Sequence, residues 1–410
     1  MDVAQRFLNY IAFNTQSDEN STSSPSTEHQ WQFAHYLEQE LIALGAKEVT
    51  VSKDCYVYAT IPATTTQPSP TLGFIAHMDT SPAVSGGPIR PQQVPFDGKD
   101  ILLNPEQNIW LHAADYPELS PYIGDTLIFT DGTTLLGADD KAGIAEIVTM
   151  TEHLLQHPEI PHGKIRLGFT PDEEIGRGTE HFDIRAFGAD FAYTCDGDQL
   201  GAVEYENFNA ASAQVRIRGI SIHPGSARGR MQNAILMAME FHALLPVFEN
   251  PACTDGYDGF YHLDSCNGQV EETILHYIIR DHDEKKFAAK KKLMKEAAIF
   301  FQKKYGQNSI QLTIEDSYRN MRQQIEPHPE LIENALESFR SLGITPTIQA
   351  IRGGTDGARL SFLGLPCPNL GVGGGNFHSC FEFVSIPAME KTVQALIRLA
   401  QSFIQKDQEH

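Results

Sequence analysis

No run of residues in this sequence is both long and apolar enough to cross a bilayer as a helix, which takes about 20 residues. Cysteine is scarce. The six residues, Cys55, Cys195, Cys253, Cys266, Cys367 and Cys380, are scattered and include no CxxC pair. That excludes a dense disulfide framework and a thiolate zinc cluster, and free thiols in a reducing, cytoplasmic compartment are the simplest reading. Positive charge is also short. Lys and Arg number 31 against 53 Asp and Glu, a formal net charge of −22. Such a balance argues against nucleic acid and anionic membrane surfaces as partners, and it names no substrate, since a solvated acidic shell accounts for it. The opening residues, MDVAQRFLNYIAFNTQ, lack a long apolar core and a small-residue cleavage site, and are expected to form an amphipathic helix rather than a signal peptide. No internal repeat or low-complexity tract is visible.

What is present is a globular composition, 41% hydrophobic and 20% charged, in a chain of 410 residues, too long for one ordinary core. Two domains are expected. Residues 1–207 and 320–410 read as α/β. Val3, Phe7, Leu8 and Ile11 keep near-helical spacing, a polar loop covers 17–27, and a helix follows over 28–44. A strand, a turn and a second strand are expected over 48–61. Buried strands are expected over 72–76, 164–170 and 189–194, and a helix runs on from Ala142. Residues 81–122, rich in Pro, Gly and Asp, read as a long functional loop or a small irregular subdomain. The texture changes over 208–319. Alternation at Ala213, Val215 and Ile217, a strand over 273–280, a lysine-rich helix over 284–305 and a strand over 310–315 predict an inserted α+β domain.

Chemistry-bearing residues gather where strands end. His77 closes the 72–76 run, with Asp79 two residues on, a spacing that suits a metal ligand and a group that orients its ring. Asp139 and Asp140 open a helix, where one carboxylate can serve as a cap; two, followed by Lys141, exceed that need. Asp172, Glu173 and Glu174 repel one another unless a dication joins them. Asp196 and His378 follow two further strand-like runs. In open α/β sheets ligands bind outside the carboxyl ends of the strands. The candidate ligands are thus His77, Asp139, Glu174, Asp196 and His378, with Asp79 and Glu173 beside them. Nitrogen and carboxylate donors suit zinc, and also cobalt or manganese. Two histidines and three carboxylates are too many for one catalytic zinc, but they fit two metals that share a carboxylate and a water. A further carboxylate must then take the proton of that water.

The segments HMDT, GADDKAG, TPDEEIGRG, CDGD, IHPGSARG, IIRD and IRGGTDGARLS, followed by His378, occur in one order. Together they resemble the dinuclear zinc exopeptidase family that also contains carboxypeptidase G and the desuccinylases, over nearly the whole chain. The resemblance implies a catalytic domain with a mixed sheet flanked by helices, plus an inserted α+β lid that serves as a homodimer surface. It implies an aminopeptidase of short peptides, tripeptides first, with a dipeptidase or an N-acyl amino acid deacylase as the alternative on the same scaffold. His77 and Asp196 would hold one zinc, Glu174 and His378 the other, and Asp139 would bridge them. Asp79 would orient His77, and Glu173 would be the general base. A cis peptide is implied between Asp139 and Asp140. His223 looks like an oxyanion support, though the residues alone read equally as an exposed loop histidine. Arg280 and Arg352 look like clamps for a peptide carboxylate, or ordinary ion-pair arginines. Asn233 is a candidate substrate contact, or a helix-packing residue. The chain departs from its nearest branch at Cys195 and Asp198 around Asp196, in HPGSARGR, and after His378, which is followed by Ser379, Cys380, Phe381 and Glu382 where that branch usually reads Gly-Lys-His-Glu. This bears on substrate choice, not on the ligand set.

Overall fold

Leu72–His77 is buried along its whole length, as an apolar run without alternation requires. In the computed structural model, which describes residues 1–404, this strand lies inside an eight-stranded mixed sheet. The order is Lys47–Val51, Val57–Ile61, Ile165–Thr170, Leu72–His77, Phe191–Gly197, Asn369–Gly371, Ala202–Asn207 and Thr347–Ile351. Leu72–His77 runs parallel to both of its neighbours, and Phe191–Gly197 runs parallel to Asn369–Gly371. The carboxyl ends of these strands therefore share one edge, where His77 pairs with Thr170.

Both faces of the sheet are covered, which is why its central strands do not alternate. Phe74 and Ala76 join the larger core with Phe7, Phe33, Leu331 and Leu396, from helices Val3–Ile11, His29–Leu44, Pro329–Arg340 and Ile386–Ser402. Ile75 points to the other face and packs with Tyr58, Phe187 and Leu360, the last two from helices Ile184–Phe187 and Asp356–Phe362. The helix Ala138–Gln156 is buried on nearly every side, polar residues such as Lys141, Glu146 and Thr151 included, and Ile144, Ile147, Val148 and Met150 are fully buried, so it lies in the core rather than on its surface.

The 81–122 stretch is a small irregular subdomain rather than one loop. It supplies Gln92–Pro95 and the paired strands Ile101–Asn104 and Ile109–Leu111. Gln92–Pro95 completes an antiparallel sheet with Thr126–Phe129, Phe383–Ser385 and Gly374–Gly375, around a core of Phe96, Leu103, Leu111, Phe129 and Phe383. Three other strands, Ala202–Asn207, Phe260–Gly268 and Thr347–Ile351, are not among those expected from the sequence. Asp196 lies within its strand, one residue before the end, rather than beyond it.

The chain divides into two compact units. The first comprises Met1–Tyr205, Met321–Gln349 and the chain from Thr355. Residues 405–410 of the expected catalytic part lie outside the described residues. The second comprises Glu206–Asn320 and also Ala350–Gly354, a short return that the expected 208–319 segment left out. The second unit is a four-stranded antiparallel sheet, ordered Phe260–Gly268, Glu272–Asp281, Asn209–Arg218 and Ile310–Tyr318. Its inner face, with Val215, Ile217, Leu275, Tyr277 and Ile279, packs on Met237 and Phe241 of helix Ala234–His242 and on Met294 and Phe301 of helix Glu284–Tyr305. Among the described residues no helix is long and apolar enough to cross a membrane.

Candidate metal centre

Two glycines let the site assemble. A Cβ on Gly143 would stand 1.9 Å from the carbonyl oxygen of Cys195, so only glycine lets the helix carrying Asp139 pass this close to the strand carrying Asp196. Gly137, at φ +82°, takes the left-handed turn into that helix. The expected aspartate cap is absent: neither Asp139 nor Asp140 caps the helix, and both have non-helical backbone angles around a cis peptide. Instead the Glu382 carboxylate accepts the N–H groups of Leu136 and Gly137 on Oε2 at 2.8 and 2.9 Å, and that of Asp139 on Oε1 at 3.0 Å. Asp140 accepts the His77 N–H at 3.0 Å, which joins the helix start to the strand end.

The five candidate ligands meet in two groups, and Asp139 belongs to both. His77, Asp139 and Asp196 offer ligand atoms within 4.8 Å of one another, and so do Asp139, Glu174 and His378. Nε2 of His77 faces Asp139 Oδ1 at 2.7 Å and Asp196 Oδ1 at 3.3 Å. Nε2 of His378 faces Glu174 Oε2 at 2.9 Å and Asp139 Oδ2 at 3.1 Å. His77 is 2% exposed, whereas His378, at φ +62°, has a side chain 49% exposed. The Nδ1 of His77 lies 3.0 Å from the main-chain carbonyl of Asp79 and 3.4 Å from its carboxylate. That carboxylate accepts the N–H groups of Glu173 at 2.9 Å and Glu174 at 3.2 Å, so Asp79 fixes the acidic turn as well as neighbouring the ring.

With protons alone to balance its charge, this cluster is electrostatically crowded. Burial would lower the His77 imidazole, but Asp196 and Asp139 hold it well above its ordinary range. Hydrogen bonds to Asp139 and Glu174 push His378 up to about 11. Burial opposes ionisation of Asp139, yet His378 and His77 keep its carboxyl below the usual carboxylate range. Burial, reinforced by Asp139, lifts Glu174 to about 8; burial likewise lifts Asp196 to about 7, although His77 opposes it. Among the described residues no Lys or Arg pairs with Asp139, Glu174 or Asp196, and Glu174 Oε1 is buried without a hydrogen-bond partner. Two imidazole nitrogens, each aimed at two carboxylates, with an orphaned carboxylate oxygen, form a donor set that divalent cations fit.

The residues around the candidate ligands are held by further side chains, of which the sequence had singled out Asp172 but not Asn369, Ser26 or Gln30. Asn369 accepts the Asp196 N–H at 3.1 Å and donates to Glu204 at 2.8 Å. Asp172, at φ +57°, accepts from Ser26 N–H at 2.7 Å, Ser26 Oγ at 2.5 Å and Gln30 Nε2 at 2.7 Å. The one signal that could have found Glu382 is its place as a lone acid among Phe381, Phe383 and Val384. The departure after His378 forms a tight turn: Ser379 Oγ donates to the Asn376 carbonyl at 2.7 Å and accepts the Phe381 N–H at 3.1 Å.

The other candidates belong to the second unit. His223 is an exposed loop residue whose Nδ1 accepts the Gly225 N–H at 3.2 Å. Asn233 caps helix Ala234–His242, accepting the Ile235 N–H at 2.9 Å. Arg280 Nη1 donates to the Arg352 carbonyl at 2.9 Å, while its Nε is buried without a partner. The Arg352 guanidinium donates to the carbonyls of Gly256 at 2.6 Å and Asp258 at 3.1 Å and to Thr254 Oγ1 at 3.2 Å, and lies over the Phe208 ring.

The model of peptidase family M20/M25/M40 matches residues 132–402. The chain belongs to that family. It is a peptidase of the M20 fold type, and the relatives agree along its length. It is 53% identical to peptidase T of Caldanaerobacter subterraneus over 98% of this chain and 99% of the relative. It is also 53% identical to peptidase T of Geobacillus kaustophilus, over 99% of each. In fold it is similar to the aminopeptidase PepT from Bacillus cereus, with a TM-score of 0.76 and 24% identity, covering 98% of this chain and 99% of that one. A Bacillus subtilis protein described as a dinuclear metal-binding peptidase of the M20 family shares the fold at a TM-score of 0.66 and 14% identity, over 98% of each chain.

Proposed function

We propose that this M20 peptidase is a two-metal aminopeptidase that removes the N-terminal residue from short peptides, tripeptides first. The observation that carries the reading is the pair of ligand groups sharing Asp139, in a chain whose full-length relatives at about half identity are peptidases T. Zinc is the expected metal, and cobalt or manganese would suit the same donors. His77 and Asp196 would hold one ion, His378 and Glu174 the other, and Asp139 would serve both. When bound, such a pair supplies an acidified water and polarises the peptide carbonyl. Glu173, beside the ligand Glu174, would take a proton from the attacking water and return it to the leaving amine. Asp79 holds Glu173 and Glu174 by their N–H groups.

The second unit acts as a lid. His223 supports the oxyanion, and Arg280 meets the substrate carboxylate with its otherwise unpartnered Nε. Arg352 serves the clamp indirectly, through its carbonyl on Arg280 and its hold on the 254–258 loop. Exposed Leu236, Met239, Val247 and Phe248 on the same unit supply a homodimer surface, which sedimentation at assay concentrations reads directly. Cytoplasmic action on free peptides accords with six free cysteines, two of them exposed.

The test is hydrolysis of a free tripeptide by metal-loaded protein beside the matching dipeptide, tetrapeptide and N-acetylated tripeptide. Release of the first residue from the tripeptide, with the others poor substrates, is expected. Preference for the dipeptide or the acetylated peptide would move the protein to the dipeptidase or deacylase branch, which the altered residues after His378 make worth testing. In the same assay Glu173→Gln is expected to keep its metal and lose most turnover.

A further inference from the structure

A cavity of about 710 Å³ within the first unit opens beside the metal-centre residues Glu174 and His378. Part of its wall is the start of the polar loop expected over 17–27, which contributes Asp18, Glu19 and Asn20, with Asn14 just before it. This wall is tied at both ends. Gln16 Nε2 donates to the carbonyls of Ser81 at 2.9 Å and Val84 at 2.7 Å, just beyond the His77–Asp79 turn. Ser26 binds Asp172 through its N–H and hydroxyl, and the same hydroxyl accepts the Asp18 N–H at 3.0 Å. The acidic residues are thus carried on a segment anchored next to Glu173. Glu174, with a side chain 3% exposed, lines the cavity and has Oε1 without a partner.

Charge decides which end of a peptide fits here. No Lys or Arg lines the cavity; His29 and His378 do, the latter with Glu174 in the candidate ligand set, and Asp18 and Glu19 are the carboxylates outside that set. Along the wall that carries Asp18 and Glu19 a carboxylate would meet like charge, whereas an ammonium group is attracted. We infer that this cavity receives the N-terminal residue of the substrate, and that Asp18 and Glu19 make the enzyme selective for peptides whose first side chain is positively charged. The inference rests on the aminopeptidase reading and adds the chemical class of the first residue to it.

The experiment compares kcat/KM for Lys-Gly-Gly and norleucine-Gly-Gly in the metal-loaded wild type and in the double variant Asp18→Asn, Glu19→Gln. The ratio of the two values cancels any general change in activity. The lysine-to-norleucine ratio is expected to fall about two- to fivefold in the variant, the size of exposed ion pairs. The wild-type ratio is expected to fall with added salt, which screens such charges. An equal ratio in both proteins would overturn the assignment while leaving the aminopeptidase reading intact. If the wild type hydrolysed neither tripeptide, the aminopeptidase reading would fail first and the pocket assignment with it.

Discussion

Glu146 is an acid that nothing answers. It sits in helix Ala138–Gln156, fully buried, and neither carboxyl oxygen has a hydrogen-bond partner among the described residues. Burial raises its carboxyl well above the ordinary value, so the folded protein holds a proton there that the unfolded chain releases. Between the unfolded and the folded pKa the native state binds more protons, and its stability falls as pH rises, by up to about 1.4 kcal/mol per unit. Below the unfolded value, near 4 for a glutamate, this cost vanishes. Glu146→Gln keeps the shape and removes the titration. Denaturant unfolding at pH 5 and pH 8 is expected to show the variant gaining on the wild type as pH rises; a constant difference would mean that Glu146 is ionised and paired in the fold. Nothing in the sequence distinguished this glutamate from a surface one. His77, Asp139, Glu174, Asp196 and His378 were legible because residues of ligand type recur after apolar runs, whereas Glu146 is buried by packing on both sides of its helix.

The turn into that same helix depends on one carboxylate from a distant segment. Glu382 answers three N–H groups that the cis-bonded, non-helical start leaves without helical acceptors. Glutamine in its place has a single acceptor oxygen and would turn an N–H₂ toward donors. Glu382→Gln is expected to cost about 1–3 kcal/mol of stability. Because Asp139 rides on this turn, metal affinity is expected to fall about 10–100-fold, the range seen when groups supporting ligands are removed. Denaturant unfolding and competitive metal titration measure the two effects, and unchanged metal affinity would detach Glu382 from the site. At this scale the long apolar runs were the legible part: 72–76, 164–170 and the helix from Ala142 are seen near those bounds. The strands of 92–111 were not, being three or four residues long with only partial burial. Ala202–Asn207 was hidden by Glu204 and Glu206, acids that a sequence reader places in solvent. Glu204 is in fact buried, lifted to about 8 by that burial and held by Asn369 and Gln349.

Over the whole molecule, the five candidate ligands come from five separate stretches of chain between His77 and His378, and neither group is drawn from one local segment. The inserted segment was legible as a change of texture, but the return of Ala350–Gly354 to it was not, since so short a stretch carries no periodicity. A shared ligand gives this arrangement a property that two independent sites would lack. Asp139 stands in both groups, whereas Asp196 and Glu174 stand in one each. Asp196→Ala is therefore expected to leave about one metal ion per chain, and Asp139→Ala to weaken both sites. Metal content by emission spectroscopy after gel filtration counts the ions, and chelation of the wild type should abolish turnover and lower the melting temperature, because ligand binding stabilises the folded state by mass action. In the chelated protein the crowded carboxylates must be neutralised by protons, so reloading is expected to release protons to the buffer. A full complement of tightly held metal in Asp139→Ala would show that the two groups are independent, and would remove the bridge on which the two-metal reading stands.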